Sequence, residues 1–213
     1  MKALSTTLLA ATLLGLTPCV LAASGVDLTL KGSITPSACV PTLTQDGTVD
    51  YGKLAAKELS MNSSTELPPA NLQLSVNCEA PTLFALNGKD NRFGTAHYSA
   101  LNWAYGLGLI NGTEKLGSYG IDVLNPVSDV VLYPLFSFNN GQSWLMNPSG
   151  SYMSHSALNA FTDIPGSGPH FPAALRNITV DLRISTDIAP ARTLTLTEEV
   201  PLDGSASLDL LYL

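Results

Sequence analysis

The chain has 213 residues, of which 17 are Asp or Glu and 10 are Lys or Arg, giving a formal net charge of −7 at pH 7. Nothing concentrates positive charge against phosphates, which argues against nucleic acid as a partner. Charged residues make up 13% of the sequence while Thr, Ser, Asn and Gly are plentiful, a composition common in exported β proteins whose surfaces are polar without being strongly ionic.

Residues 1–23 read as a signal peptide. Met1-Lys2 supplies a short positive start, residues 3–16 are apolar apart from Ser5, Thr6, Thr7 and Thr12, Pro18 breaks the run, and Ala22 and Ala23 are small residues at which a signal peptidase could cut. The run is too short and too soon broken for a permanent span. Cys19 follows Leu16-Thr17-Pro18, which lacks the small residue expected of lipoprotein processing. No second apolar stretch is long enough to cross a membrane, so a soluble product in an oxidising compartment outside the cytoplasm is expected. There Cys39 and Cys78, the cysteines left after cleavage, read as one disulfide rather than a metal or redox site.

The remaining length, roughly 190 residues, suits one domain. Val26-Asp27-Leu28-Thr29-Leu30-Lys31-Gly32-Ser33-Ile34 alternates, placing Val26, Leu28, Leu30 and Ile34 on one face of a strand. Helical periodicity is weak; residues 51–59 could form a turn or two. Strands are predicted at Leu72-Gln73-Leu74-Ser75-Val76 running into Cys78, at 82–86, at 104–110 and 119–124 flanking an Asn111-Gly112 turn, and at 129–138 despite Pro134. Residues 139–172, rich in Ser, Asn, Gly and Pro, read as long loops. The cleanest alternation is Ile178-Thr179-Val180-Asp181-Leu182-Arg183-Ile184; residues 192–200 alternate through Leu194 and Leu196, and Ala206-Ser207-Leu208-Asp209-Leu210-Leu211-Tyr212-Leu213 closes the chain. Many strands punctuated by Gly, Pro and Asn predict a β-sandwich. Alternating strands at both termini are free edges, which recruit another strand unless they are blunted.

Catalytic chemistry has little support in the residues. His97, His155 and His170 show no metal-motif spacing, and Ser154-His155-Ser156 are neighbours on a chain whose adjacent strand residues point to opposite faces. No enzyme activity and no cofactor are expected. Trp103 and Trp144, near Tyr105 and Tyr152, are either core residues or aromatic platforms for a glycan.

The order of these features resembles the chaperone–usher pilins, and most of all the fimbrial-like subunits of Gram-negative bacteria. The residues that carry the likeness are Leu30-Lys31-Gly32-Ser33-Ile34-Thr35-Pro36 leading into Cys39, Val49-Asp50-Tyr51-Gly52, Cys78 ending an alternating strand, and Tyr212 next to last. The resemblance implies an immunoglobulin-like β-sandwich over residues 36–213 that lacks its last strand and is completed by a donor strand. Residues 24–35 would be the donor segment, inserting Val26, Leu28, Leu30 and Ile34 into a neighbour's groove with Gly32 at a close backbone approach. Leu208, Leu210, Tyr212 and Leu213 would form the strand with which a periplasmic chaperone pairs, and Cys39–Cys78 would join neighbouring strands near the start of the fold. The implied function is a structural subunit of a fimbria or pilus, exported to the periplasm and then displayed at the cell surface, with a chaperone, an outer-membrane usher and neighbouring subunits as partners. Extra length in the middle of the chain leaves room for the alternative, a tip adhesin or glycan-binding module with Trp103 or Trp144 contacting a host glycan.

Overall fold

The computed structural model describes residues 29–30 and 38–213. The chain separates into a unit Met1–Ile34 and a unit Thr35–Leu213, and the fold is that of the second. Its strands, in chain order, are β1 Cys39–Leu43, β2 Thr65–Glu66, β3 Ala70–Thr82, β4 Phe84–Asp90, β5 Tyr105–Gly106, β6 Leu109–Ile110, β7 Glu114–Lys115, β8 Gly117–Val127, β9 Tyr133–Ser137, β10 Leu145–Met146, β11 Ser151–Tyr152, β12 Leu158–Thr162, β13 Leu175–Ile188 and β14 Ala206–Tyr212. One sheet has the order β1-β3-β13-β8-β11, with β2 beside β13 and β5 beside β8; the other has the order β10-β9-β12-β4-β14; β6 and β7 form a separate hairpin. The architecture is an all-β, immunoglobulin-like sandwich.

The period-2 pattern decides which faces meet. On β13, Ile178, Val180, Leu182 and Ile184 are buried while Arg183 between them is exposed. Leu72, Leu74 and Val76 of β3 and Ile121 and Val123 of β8 join them, and Phe84 and Leu86 of β4 and Phe161 of β12 belong to the same core cluster. Each such side chain contributes about 1.5–3 kcal/mol when it leaves water. The disulfide Cys39–Cys78 is formed between register partners of β1 and β3, and in the chain-entropy account a loop of this size contributes about 4 kcal/mol.

Several expectations are corrected. Residues 51–59 hold only the single 3-10 turn Ala56–Glu58. The Asn111-Gly112 turn closes a tighter hairpin than expected, Leu109–Ile110 on Glu114–Lys115 through the three-residue loop 111–113, with φ of 49° at Asn111 and 80° at Gly112, left-handed positions that Asn and Gly adopt most readily. Residues 192–200 contain no strand: the 3-10 turn Ala191–Thr193 follows Pro190, and Thr195 is held by the Glu114 side chain, to which its N–H donates at 2.6 Å, instead of by a ladder. The stretch 139–172 contains β10, β11 and β12 as well as loops. Strand β12 shows no amphipathic alternation because it is buried on both faces: Phe161 belongs to the central core, while Leu158 and Ala160 lie in a second cluster with Trp144, Ala85 and Leu135.

Candidate functional site

The two margins of the sandwich are built differently. At one margin, Phe136 of β9 stacks on Tyr152 of β11 with ring centroids 6.4 Å apart, and the amide of Asn159, 1% exposed, donates to Ser151 Oγ at 2.8 Å and to the Tyr152 carbonyl at 3.1 Å. Aromatic contact and a buried amide thus join the sheets there. The other margin is formed by β1 and β14. Strand β14 pairs with β4 from Ala206↔Asp90 to Tyr212↔Phe84, and among the described residues no strand pairs with its other side. At its last turn of pleat, the Cys39 N–H donates to Tyr212 Oη at 3.0 Å.

Away from that bond the margin holds a cleft of about 270 Å³, whose lining includes Leu43, Leu72, Ile121, Leu182, Ile184 and Leu208. A second cleft of about 490 Å³ shares Val49, Tyr51 and Leu202 with the first and adds Leu54, Leu59, Leu196 and Val200. The two adjoin through these shared residues as one trough, whose first part alone reaches β14, at Ala206 and Leu208. No side chain of β14 is fully buried; Leu208 and Leu210 pack against the core yet remain half-buried. An alternating strand whose inward apolar residues stay partly wet is a strand with room for another beside it.

Local chemistry shapes the trough. Gly52 donates its N–H to Asp50 Oδ1 at 2.7 Å and has a φ of 63°, so Val49-Asp50-Tyr51-Gly52 is an Asx turn that only glycine closes without strain. The Tyr51 hydroxyl donates to Thr186 Oγ1 at 3.0 Å, holding this wall against β13. Between the lining residues Leu202 and Gly204, Asp203 is gripped by the Arg92 guanidinium through Nε at 2.9 Å and Nη2 at 2.7 Å, and this pairing holds the Asp203 carboxyl below the usual carboxylate range. A Cβ at Gly204 would come within 2.9 Å of Leu107 and 3.0 Å of Tyr119, so only glycine lets the chain pass this close before β14. Burial pushes the Tyr105 and Tyr119 phenols up; their rings stack with centroids 5.3 Å apart at the floor of the same end. Lys53 and Glu199 pair at 3.0 Å on the exposed rim, where such a contact is worth little.

Of the residues singled out from the sequence, Leu208 lines the trough, Leu210 packs against the main core without lining it, Tyr212 bonds Cys39, and Leu213 lies by Gly141, close to Trp144 and Leu158. Val26, Leu28, Gly32 and Ile34 lie outside the described residues, and Leu30 is 87% exposed. Trp144 is 6% exposed within the second cluster, which leaves little ring face for a sugar. Trp103 is half-buried and lies where a side chain at Gly120 would touch its ring. The Ser154 hydroxyl donates to the Asn102 carbonyl at 2.7 Å, while the His155 ring packs edge-on to Phe93 and Tyr105. Among the described residues no three of His, Cys, Asp and Glu converge as metal ligands, and no helix is long and apolar enough to cross a membrane. Sequence reasoning missed the wall formed by Leu196, Val200 and Leu202. The signal was there in their spacing, but Pro190 and Pro201 at either end mark a bent lining instead of a strand.

The sequence model of a family described as a protein of unknown function, DUF1120, matches residues 28–102. That stretch holds both disulfide cysteines and the Val49–Gly52 wall. The chain is also similar to protein GltF of Escherichia coli strain K12, with 28% identity over 223 residues that cover 88% of each chain. To the uncharacterized protein YhcF of the same organism it is 23% identical over 221 residues, which cover 90% of this chain and 92% of the relative.

Proposed function

We propose that this protein is a structural subunit of a fimbria or pilus, assembled by the chaperone–usher pathway through donor-strand exchange. The observation that carries the reading is the cleft lined by Ala206 and Leu208 of β14, an edge strand with no partner on its other side among the described residues. An extended segment laid there adds a strand to the five-stranded sheet and covers the half-buried Leu208 and Leu210. Residues 24–35 of a second copy have the required form: Val26, Leu28, Leu30 and Ile34 share one face and Gly32 interrupts it where the backbones come closest. Burying three or four such side chains contributes about 1.5–3 kcal/mol each, and the added main-chain ladder makes release slow.

In this reading a periplasmic chaperone supplies the missing strand first, the outer-membrane usher is where one donor replaces the other, and the finished subunit stands in a surface fibre with a structural and adhesive role, not a catalytic one. The test is to prepare the chain from residue 24 and from residue 36, release each from chaperone or denaturant, and measure particle size. Polymers from the longer form alone support donor-strand exchange; stable monomers from both forms mean a sandwich that needs no donor.

A further inference from the structure

The end of the sandwich at which β1 begins carries several exposed apolar side chains. Register fixes which residues share that end: Cys39 lies opposite Cys78, Asn77 opposite Asn177, Thr179 opposite Val127, and Thr162 opposite Tyr133. Two loops cap it. One leaves β8 at its last residue, Val127, and holds Val131; these two bridge each other and are 63% and 72% exposed. The other, tied down by the Ala173 N–H on the Phe161 carbonyl at 2.8 Å, holds Ile164 and Phe171, 65% and 69% exposed. Scattered surface apolar residues need no explanation, but several on adjoining loops at one end mark a contact face.

We infer that this end is a second interface between copies of the chain, docking on the opposite end of the sandwich whose trough receives the donor segment. The inference rests on the donor-strand reading and adds a surface to it. Every pairing in the five-stranded sheet is antiparallel, so a donor continuing it runs against β14, entering beside Tyr212 and leaving beside Ala206. Five steps of chain separate Ile34 from Cys39, a reach of roughly 17 Å when fully extended. A tether so short forces the β1 end of the donor copy against the Ala206 end of the acceptor. Apolar residues stand there as well: Leu54, on the wall of the trough, and Leu109, on the β6–β7 hairpin, are both exposed. Two apolar ends held together by a short covalent tether lose little further freedom on contact, so even a small contact is retained.

The test uses the chain from residue 24 in three forms: unchanged, with Val131→Asp and Phe171→Asp together, and with Leu145→Asp, an exposed position on β10 at the closed margin. Assembly is followed by light scattering against protein concentration, strand exchange by polymers that survive SDS, and folding by thermal unfolding of monomers. The V131D/F171D form is expected to unfold as the unchanged chain does and to yield SDS-resistant polymers, but to need roughly tenfold more protein for the same assembly rate, as loss of apolar contact at such a face implies; L145D behaves as the unchanged chain. An I164D form checks the second loop alone and shifts the same way. Equal rates for V131D/F171D and the unchanged chain overturn the inference while leaving donor-strand exchange standing. If the unchanged chain forms no SDS-resistant polymer, both fall together.

Discussion

The Tyr212 hydroxyl accepts the Cys39 N–H at 3.0 Å, joining the next-to-last residue of the chain to the residue whose sulfur is bonded to Cys78. This bond ties the last strand of one sheet to the first strand of the other at one end of an otherwise separated margin. Tyr212→Phe keeps the ring and removes the acceptor. Urea unfolding should show a loss of about 0.5–1.5 kcal/mol, the net worth of one hydrogen bond, with the fold retained.

Serine at both Cys39 and Cys78 removes the only covalent tie between β1 and β3. Stability should fall by about 2–5 kcal/mol, and because β1 is an edge strand, its amides should lose exchange protection before those of β13 do. Comparing amide exchange in the two forms checks both statements.

Asn159→Ala at the closed margin withdraws the donor from Ser151 Oγ and the Tyr152 carbonyl. A cost of about 1–3 kcal/mol is expected for leaving those groups unsatisfied. The same denaturant titration reads it, and no effect on assembly is expected because the opposite margin is untouched.

Two carboxyls give opposite pH signatures. Glu114 accepts the Thr195 N–H and hydroxyl and the Asn111 amide, in that order of effect, and its carboxyl is held below the usual range. Its folded value lies under its unfolded one, so its contribution is present above the unfolded value and is lost as pH falls through the depressed folded value. Asp187 is pushed up, first by burial and then by Glu66, its register partner across β2 and β13. Its folded value lies above its unfolded one, so its ionised form opposes folding at neutral pH and that penalty is relieved as pH falls through the raised value. Glu114→Gln should therefore flatten acid unfolding at low pH, whereas Asp187→Asn should raise the midpoint of thermal unfolding at pH 7 and leave it unchanged well below the ordinary carboxylate range.

Much of this was legible in the sequence where one face of a strand meets the core and the other meets water. The alternation of β13 and β3 gave their inward residues directly, and the expectation of an oxidising compartment pointed to Cys39–Cys78 as a disulfide, which the structure contains. Strand β12 was hidden because Leu158 and Ala160 face Trp144 while Phe161 faces the main core, so no polar side marks a surface. Residues 192–200 misled in the other direction: alternation there reflects Leu194, Leu196 and Val200 packing inward from a bent segment. A free edge at the chain's end was expected from the terminal alternating run and a groove from the family resemblance, but the residues that line the trough were not legible, since Val49, Leu59 and Leu202 come together only through long-range packing.

Amide exchange along β14 tests the central claim most directly. In monomers of the chain from residue 36, the strand has β4 on one side only, and about half of its amides, those not bonded to β4, should exchange freely. In polymers of the chain from residue 24 those same amides should slow by at least about a hundredfold, as a second ladder forms. Equal protection of β14 in the two samples, whether high or low, would contradict donor-strand completion of the sandwich.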